Sequence, residues 1–165
     1  MPESVKGESS SGEHKELVRV HSIPGAPVDR KSDWTEDVDA DDMDGSAITP
    51  LVLGKAAPGR AFFVHDVTGH CGSLAHLSQH FQHNSFVIND PRLDKPTGFS
   101  SLKNMAACYS KMIEDFERSS PSAFIVLCGY SIGGMIALEV ARCLKGKGFR
   151  VKHVVLMDSL AGQVI

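Results

Sequence analysis

The sequence has no surplus of positive charge: 17 lysines and arginines stand against 20 aspartates and glutamates, a formal net charge of −3. There is no basic stripe and no interleaving of basic with aromatic residues, so a nucleic-acid-binding role is excluded. Long hydrophobic runs are missing too. No apolar stretch approaches the roughly 20 residues of a membrane-spanning helix, and Met1-Pro2-Glu3-Ser4-Val5-Lys6-Gly7-Glu8 lacks the basic-then-apolar order of a signal peptide. Cysteine is scarce. Cys71, Cys108, Cys128 and Cys143 form no Cys-x-x-Cys pair and show no metal-ligand spacing. Cys128 and Cys143 fall in apolar stretches, where a free thiol behaves as a small hydrophobe. This usage fits a reducing, cytoplasmic setting. Of the eight histidines, His76, His80 and His83 come close to helical spacing, but no carboxylate motif accompanies them. They read as a solvated face, and no metal is expected.

Two compositions divide the chain. Residues 1–48 are rich in Ser, Gly, Glu and Asp, and 36–44 carry six acids in nine positions. Such a segment buries too little apolar surface to offset its ordering entropy and is predicted to be a disordered acidic leader. Residues 49–165 are predicted to form the one folded domain. Ala61-Phe62-Phe63-Val64-His65 reads as a buried strand, followed by the loop Asp66-Val67-Thr68-Gly69-His70-Cys71-Gly72 and a short helix over 73–81. Ser85-Phe86-Val87-Ile88 reads as a second strand, broken by Asn89-Asp90-Pro91. Ser100 is placed to cap a long helix to about residue 117, in which Leu102, Met105, Ala106, Tyr109, Ile113 and Phe116 make one apolar stripe. A strand at Ala123-Phe124-Ile125-Val126-Leu127, a helix from Met135 to Leu144 and a fourth strand from Val151 to Met157 complete the pattern. Alternating strands and helices predict an α/β fold, a mostly parallel sheet with flanking helices and right-handed crossovers. Loops at the carboxyl ends of such strands line a ligand crevice. Asp66, Gly69, Ser131 and Asp158 all fall at those ends.

The third of these strands runs straight into Gly129-Tyr130-Ser131-Ile132-Gly133, with a helix behind it. Gly-x-Ser-x-Gly has only three fixed positions, and a glycine-rich turn before a helix can equally be a phosphate cradle or a plain structural turn. The strand–turn–helix context favours a nucleophile elbow. Ser131 is then the nucleophile, and the N-terminal N–H groups of the following helix face any oxyanion formed beside it.

Taken in order, Phe63-Val64-His65-Asp66-Val67-Thr68-Gly69, Met105-Ala106-Ala107-Cys108-Tyr109, Leu127-Cys128-Gly129-Tyr130-Ser131-Ile132-Gly133-Gly134, the helix from Ala137 to Leu144, and Val154-Val155-Leu156-Met157-Asp158-Ser159 resemble the type I thioesterase domain of polyketide and nonribosomal peptide synthetases. The wording His-Asp-Val-Thr-Gly and Asn-Asp-Pro-Arg is nearest to the fungal members. The resemblance covers about residues 58–160 and implies an α/β-hydrolase fold. It also implies Ser131 as nucleophile, the backbone N–H groups of Ile132 and Val67 as the oxyanion hole, and Asp158 as the triad acid. Asp158 lies 27 positions after Ser131 (158 − 131), the length of one strand–helix–strand step; read without the resemblance, it is a turn residue at a strand end. The implied substrate is an acyl or peptidyl thioester on the phosphopantetheine arm of a carrier protein, in secondary-metabolite biosynthesis, with no further cofactor.

The departure concerns the base. In this fold the order is Ser, then Asp, then His, and no histidine follows Asp158 in the sequence. The reading is therefore a C-terminally truncated, partial α/β-hydrolase fold lacking the lid, the later strands and the triad histidine. His153 is expected at the end of the sheet opposite the rim; His65 and His70 are the only candidates for a substitute base. The strand 151–157 would then be an open apolar edge, favouring self-association. Three functions compete: a thioesterase that releases a carrier-bound polyketide or peptide by hydrolysis or cyclisation, an inactive remnant that at most binds a carrier or synthase, and another serine esterase or lipase.

Overall fold

The computed structural model describes residues 47–159, so the acidic run at 36–44 lies outside it. Strands and helices alternate: β1 (Ile48–Val52), β2 (Ala57–Val64), a 3-10 turn (Gly72–Leu74) leading into α1 (Ala75–Ser78), β3 (His83–Ile88), α2 (Leu102–Ser119), β4 (Ile125–Tyr130), α3 (Ile132–Gly146) and β5 (Val151–Met157). The five strands form one sheet in the order β1-β3-β2-β4-β5. The pairs β2–β3, β2–β4 and β4–β5 are parallel, and β1 joins β3 antiparallel. The mostly parallel α/β sheet with flanking helices is thus the architecture expected from the alternation.

Strand periodicity sorts β2 onto two faces. Phe62 and Val64 pack with Phe86, Ile88 and Leu127 under α2 and α3, against Ala106, Tyr109, Ile113, Ile136, Val140 and Leu144. Ala61 and Phe63 point the other way, onto Val87, Val126, Cys128, Cys71 and Leu74. Both faces are covered, which is why the central strands read as continuous apolar runs rather than alternating ones.

α2 begins where Ser101 accepts the Asn104 N–H on its hydroxyl, at 3.1 Å. The cap is Ser101 rather than the neighbouring Ser100. Arg60, at the start of the buried part of β2, fastens the far end of α2. Its guanidinium bonds Glu117 Oε1 at 3.0 Å and lies over the Phe116 ring at 5.2 Å. The other Glu117 oxygen accepts the Ser122 N–H at 2.7 Å, so both oxygens of this buried carboxylate are bonded.

Other boundaries moved as well. Ile48, counted with the leader in the sequence reading, already belongs to β1, a strand the four-strand expectation missed; Pro50 sits within it, and the register with β3 shifts between Pro50 and Val52. β2 starts four residues early, on a stretch whose proline and glycine disguise it. The helix expected over 73–81 keeps only one α-helical turn. The Ser78 hydroxyl donates to the Ala75 carbonyl, and His80 and Phe81 close tighter turns onto Leu77 and Ser78. His80 thus follows α1 and His83 lies in β3, so the three histidines share no helical face.

Candidate active site

Ser131 is the hinge between β4 and α3, and its backbone takes φ +53°, ψ −123°. A side-chain-bearing residue at positive φ is strained, at roughly 1–3 kcal/mol, so the turn must be held from outside. The Ser131 N–H donates to the Met157 carbonyl at 2.9 Å, and the Gly134 N–H returns to the Ser131 carbonyl at 3.2 Å. The two motif glycines make room. A Cβ on Gly129 would stand 2.2 Å from the Gly133 carbonyl group, and one on Gly133 would stand 2.4 Å from the His65 carbonyl oxygen. Only backbone fits at either point, and α3 therefore starts directly against the end of β2.

That contact assembles the rim. Val64 and Gly129 are register partners, so the loop after β2 and the elbow after β4 leave the sheet side by side. The loop is a tight turn built by Asp66. Its carboxylate accepts the Thr68 N–H at 2.8 Å and the Thr68 hydroxyl at 2.6 Å, while its carbonyl accepts the Gly69 N–H at 3.1 Å. Val67 is at the tip, with its side chain 81% exposed. Among the described residues neither the Val67 N–H nor the Ile132 N–H has a hydrogen-bond partner. Val67 lies on the loop after β2 and Ile132 opens α3 directly after Ser131, so both unpaired donors fall on this rim.

The segment after β5 meets the elbow from the third side. Asp158 is exposed, at φ +46°, one residue beyond the carbonyl that holds Ser131. Ser159, a residue the sequence reading assigned no role, donates its hydroxyl to the Ser131 carbonyl at 2.7 Å, with the Met157 carbonyl at 3.0 Å sharing it. The missed signal was adjacency alone, since nothing in the residue type of Ser159 announces the contact. Next to Ile132, a cleft of about 180 Å³ opens between the starts of α2 and α3, lined by Phe99, Ser101, Leu102, Met105, Ile132 and Ile136. Its lining is almost wholly apolar, with Ser101 the one polar residue.

The two candidate substitute bases differ. His65 is buried, with Nδ1 2.6 Å from the Asp66 carbonyl oxygen and Nε2 2.6 Å from the Tyr109 hydroxyl, so both ring nitrogens are engaged. His70 is exposed. His153 lies in the amino-terminal half of β5, away from the rim, with its side chain exposed.

The comparisons with known proteins agree with this geometry. The model of the thioesterase domain family matches residues 60–164. Atromentin synthetase invA1 of Paxillus involutus is 33% identical over 128 residues, covering 75% of this chain and 13% of the synthetase. Thioesterase frbD of Dothideomycetidae sp. (strain 11243) is 34% identical over 119 residues, covering 70% of this chain and 40% of that protein. The crystal structure of the NocB thioesterase domain from the nocardicin cluster superposes with a TM-score of 0.54 at 29% identity, covering 63% of this chain and 46% of that one. The chain therefore spans less than half the length of each of these relatives. From the residues of the elbow to the ordered match along the sheet, the chain belongs to the thioesterase domain family.

Proposed function

We propose that this chain carries the acyl-accepting half of a serine thioesterase that releases a polyketide or peptide from a carrier protein in secondary-metabolite biosynthesis. The observation that carries the reading is the strained Ser131 on a rim that also holds two unpaired N–H donors, with an apolar cleft reaching its neighbour Ile132. Ser131 Oγ bonds the thioester carbonyl carbon, the oxyanion accepts from Val67 and Ile132, and the carbon–sulfur bond breaks as the proton of Ser131 passes through a base to the departing thiolate. Water or a nucleophile within the acyl chain then takes the acyl group, giving hydrolysis or cyclisation. Asp158, one residue past the elbow's anchor, is the proposed triad acid. The substrate arrives on a phosphopantetheine arm, and no other cofactor is invoked. A synthase or its carrier domain is the proposed partner, supported by relatives that are themselves synthetases. The four buried cysteines form no disulfide among the described residues, which supports a cytoplasmic setting.

No histidine among the described residues is hydrogen-bonded to Ser131, and His65 is fully engaged by Asp66 and Tyr109. The chain as given is therefore expected to turn over acyl-thioesters slowly, because serine without a base is a poor nucleophile. The same observation favours, as second reading, a carrier-binding module without turnover. A fluorophosphonate probe separates the two. Labelling at Ser131, abolished in Ser131→Ala, supports the nucleophile; labelling that survives the substitution removes it. Ordinary turnover lost on replacing His65 or His70 would show that one of them is the base after all.

A further inference from the structure

A buried polar chain runs from α2 to the tip of the loop after β2, and the chemistry of the elbow makes no direct use of it. Tyr109 is fully buried on α2, and its hydroxyl lies 2.6 Å from His65 Nε2. His65 Nδ1 lies 2.6 Å from the Asp66 carbonyl oxygen. A carbonyl only accepts, so Nδ1 carries a proton; with that single ring proton, Nε2 accepts from the Tyr109 hydroxyl. Burial pushes the Tyr109 phenol well above its ordinary range, which keeps it a donor. The tautomer and the ring orientation of His65 are thereby fixed.

The consequence falls on the next peptide. The bond between Asp66 and Val67 is trans, and a planar trans peptide points its N–H opposite to its C=O. With the Asp66 carbonyl held toward the buried His65 ring, the Val67 N–H is turned outward, to the rim where Ser131 stands. The Gly69 N–H also donates to that carbonyl, at 3.1 Å, from within the same turn. The geometry points to Tyr109 and His65 as positioning residues that aim the Val67 N–H at the oxyanion of the Ser131 reaction. This rests on the reading of Val67 as an oxyanion donor; the relay itself is defined by the carbonyl it holds.

Tyr109→Phe in the full chain removes the hydroxyl and keeps the ring that packs on Phe99 and His65. Ile113→Val, one turn further along α2 and equally buried, disturbs the core without touching the relay. The expected result is that Tyr109→Phe shifts the Val67 backbone amide resonance and slows fluorophosphonate labelling of Ser131 by about one to two powers of ten, as misaimed catalytic groups do. Ile113→Val is expected to leave both unchanged at the same temperature. An unshifted Val67 amide in Tyr109→Phe, or the same loss in Ile113→Val, overturns the proposal. Nitrogen NMR of the unsubstituted chain tests it without any variant: His65 is expected to carry a proton on Nδ1 and to accept on Nε2, and a proton on Nε2 overturns the relay. A Ser131 that never labels removes the proposed function, while the Val67 amide and the His65 tautomer still decide the relay.

Discussion

Ser131 and Asp158 are the two non-glycine residues at positive φ among the described residues, and both stand on the same rim. Ser131 is tied twice to the end of β5, through its N–H to the Met157 carbonyl and through its carbonyl from the Ser159 hydroxyl, and Asp158 lies between those two anchors. Strain kept at a site against local preference has a measurable signature. Ser131→Gly should unfold at higher denaturant than the unsubstituted chain, by about 1 kcal/mol after allowing for the extra freedom of glycine in the unfolded state. Ser131→Ala, which keeps the Cβ, should gain nothing comparable. Equal stability of all three chains in urea titrations would mean that the elbow stores no strain. The elbow was legible because Gly-x-Ser-x-Gly puts its requirements into residue types that a sequence displays. Val67 and Ile132 were reachable only through resemblance, because a backbone N–H leaves no mark on the residue that bears it. The pairing of His65 with Tyr109 was not legible. One was weighed as a base and the other counted only as a stripe residue, and the hydrogen bond that joins them across 44 positions has no sequence pattern.

Elements were legible where one period dominated. The stripe of α2 and the apolar runs of the central strands located their elements correctly, because burial on one or both faces writes itself into composition. β1 escaped because an edge strand needs apolar residues on only part of its length and can tolerate Pro50. The helices are also fastened to one another by charge. Glu114 on α2 receives Lys147, just past the end of α3, at 2.8 Å, and Arg118 from its own helix at 2.7 Å. The hydrogen bond from Lys147, ahead of that from Arg118, holds its carboxyl below the ordinary carboxylate range. A carboxylate depressed in the folded state stabilises fully above its unfolded pKa, about 4.3, and loses that contribution as pH falls through the folded value. Stability measured by urea from pH 6 downward should therefore fall less steeply in Glu114→Gln than in the unsubstituted chain. Parallel slopes would show that the α2–α3 ion pairs are too solvated to couple to folding.

At the scale of the whole molecule the two edges of the sheet are unequal. β1 closes one side with a short antiparallel strand interrupted by proline, a form that resists further pairing. On the other side β5 pairs with β4 alone among the described residues. Its amino-terminal half is guarded by exposed Lys152 and His153, while Val154, Val155, Leu156 and Met157 are half-buried and carry no charge. An apolar, uncharged stretch of unpaired strand is a template for a second chain. Covering the exposed half of each of these side chains is worth about 1 kcal/mol apiece, and the free N–H and C=O groups of β5 add ladder bonds. The chain as given is therefore expected to sediment as dimers or larger species at micromolar concentration, or to need a partner that covers β5. Leu156 belongs to neither apolar cluster of the core, so Leu156→Lys places a charge on the edge with little loss of packing. The substituted chain should sediment as a monomer and keep its unfolding midpoint. A monomer in both chains, independent of concentration, would mean that β5 is covered within a single chain, and association through this edge would have to be abandoned.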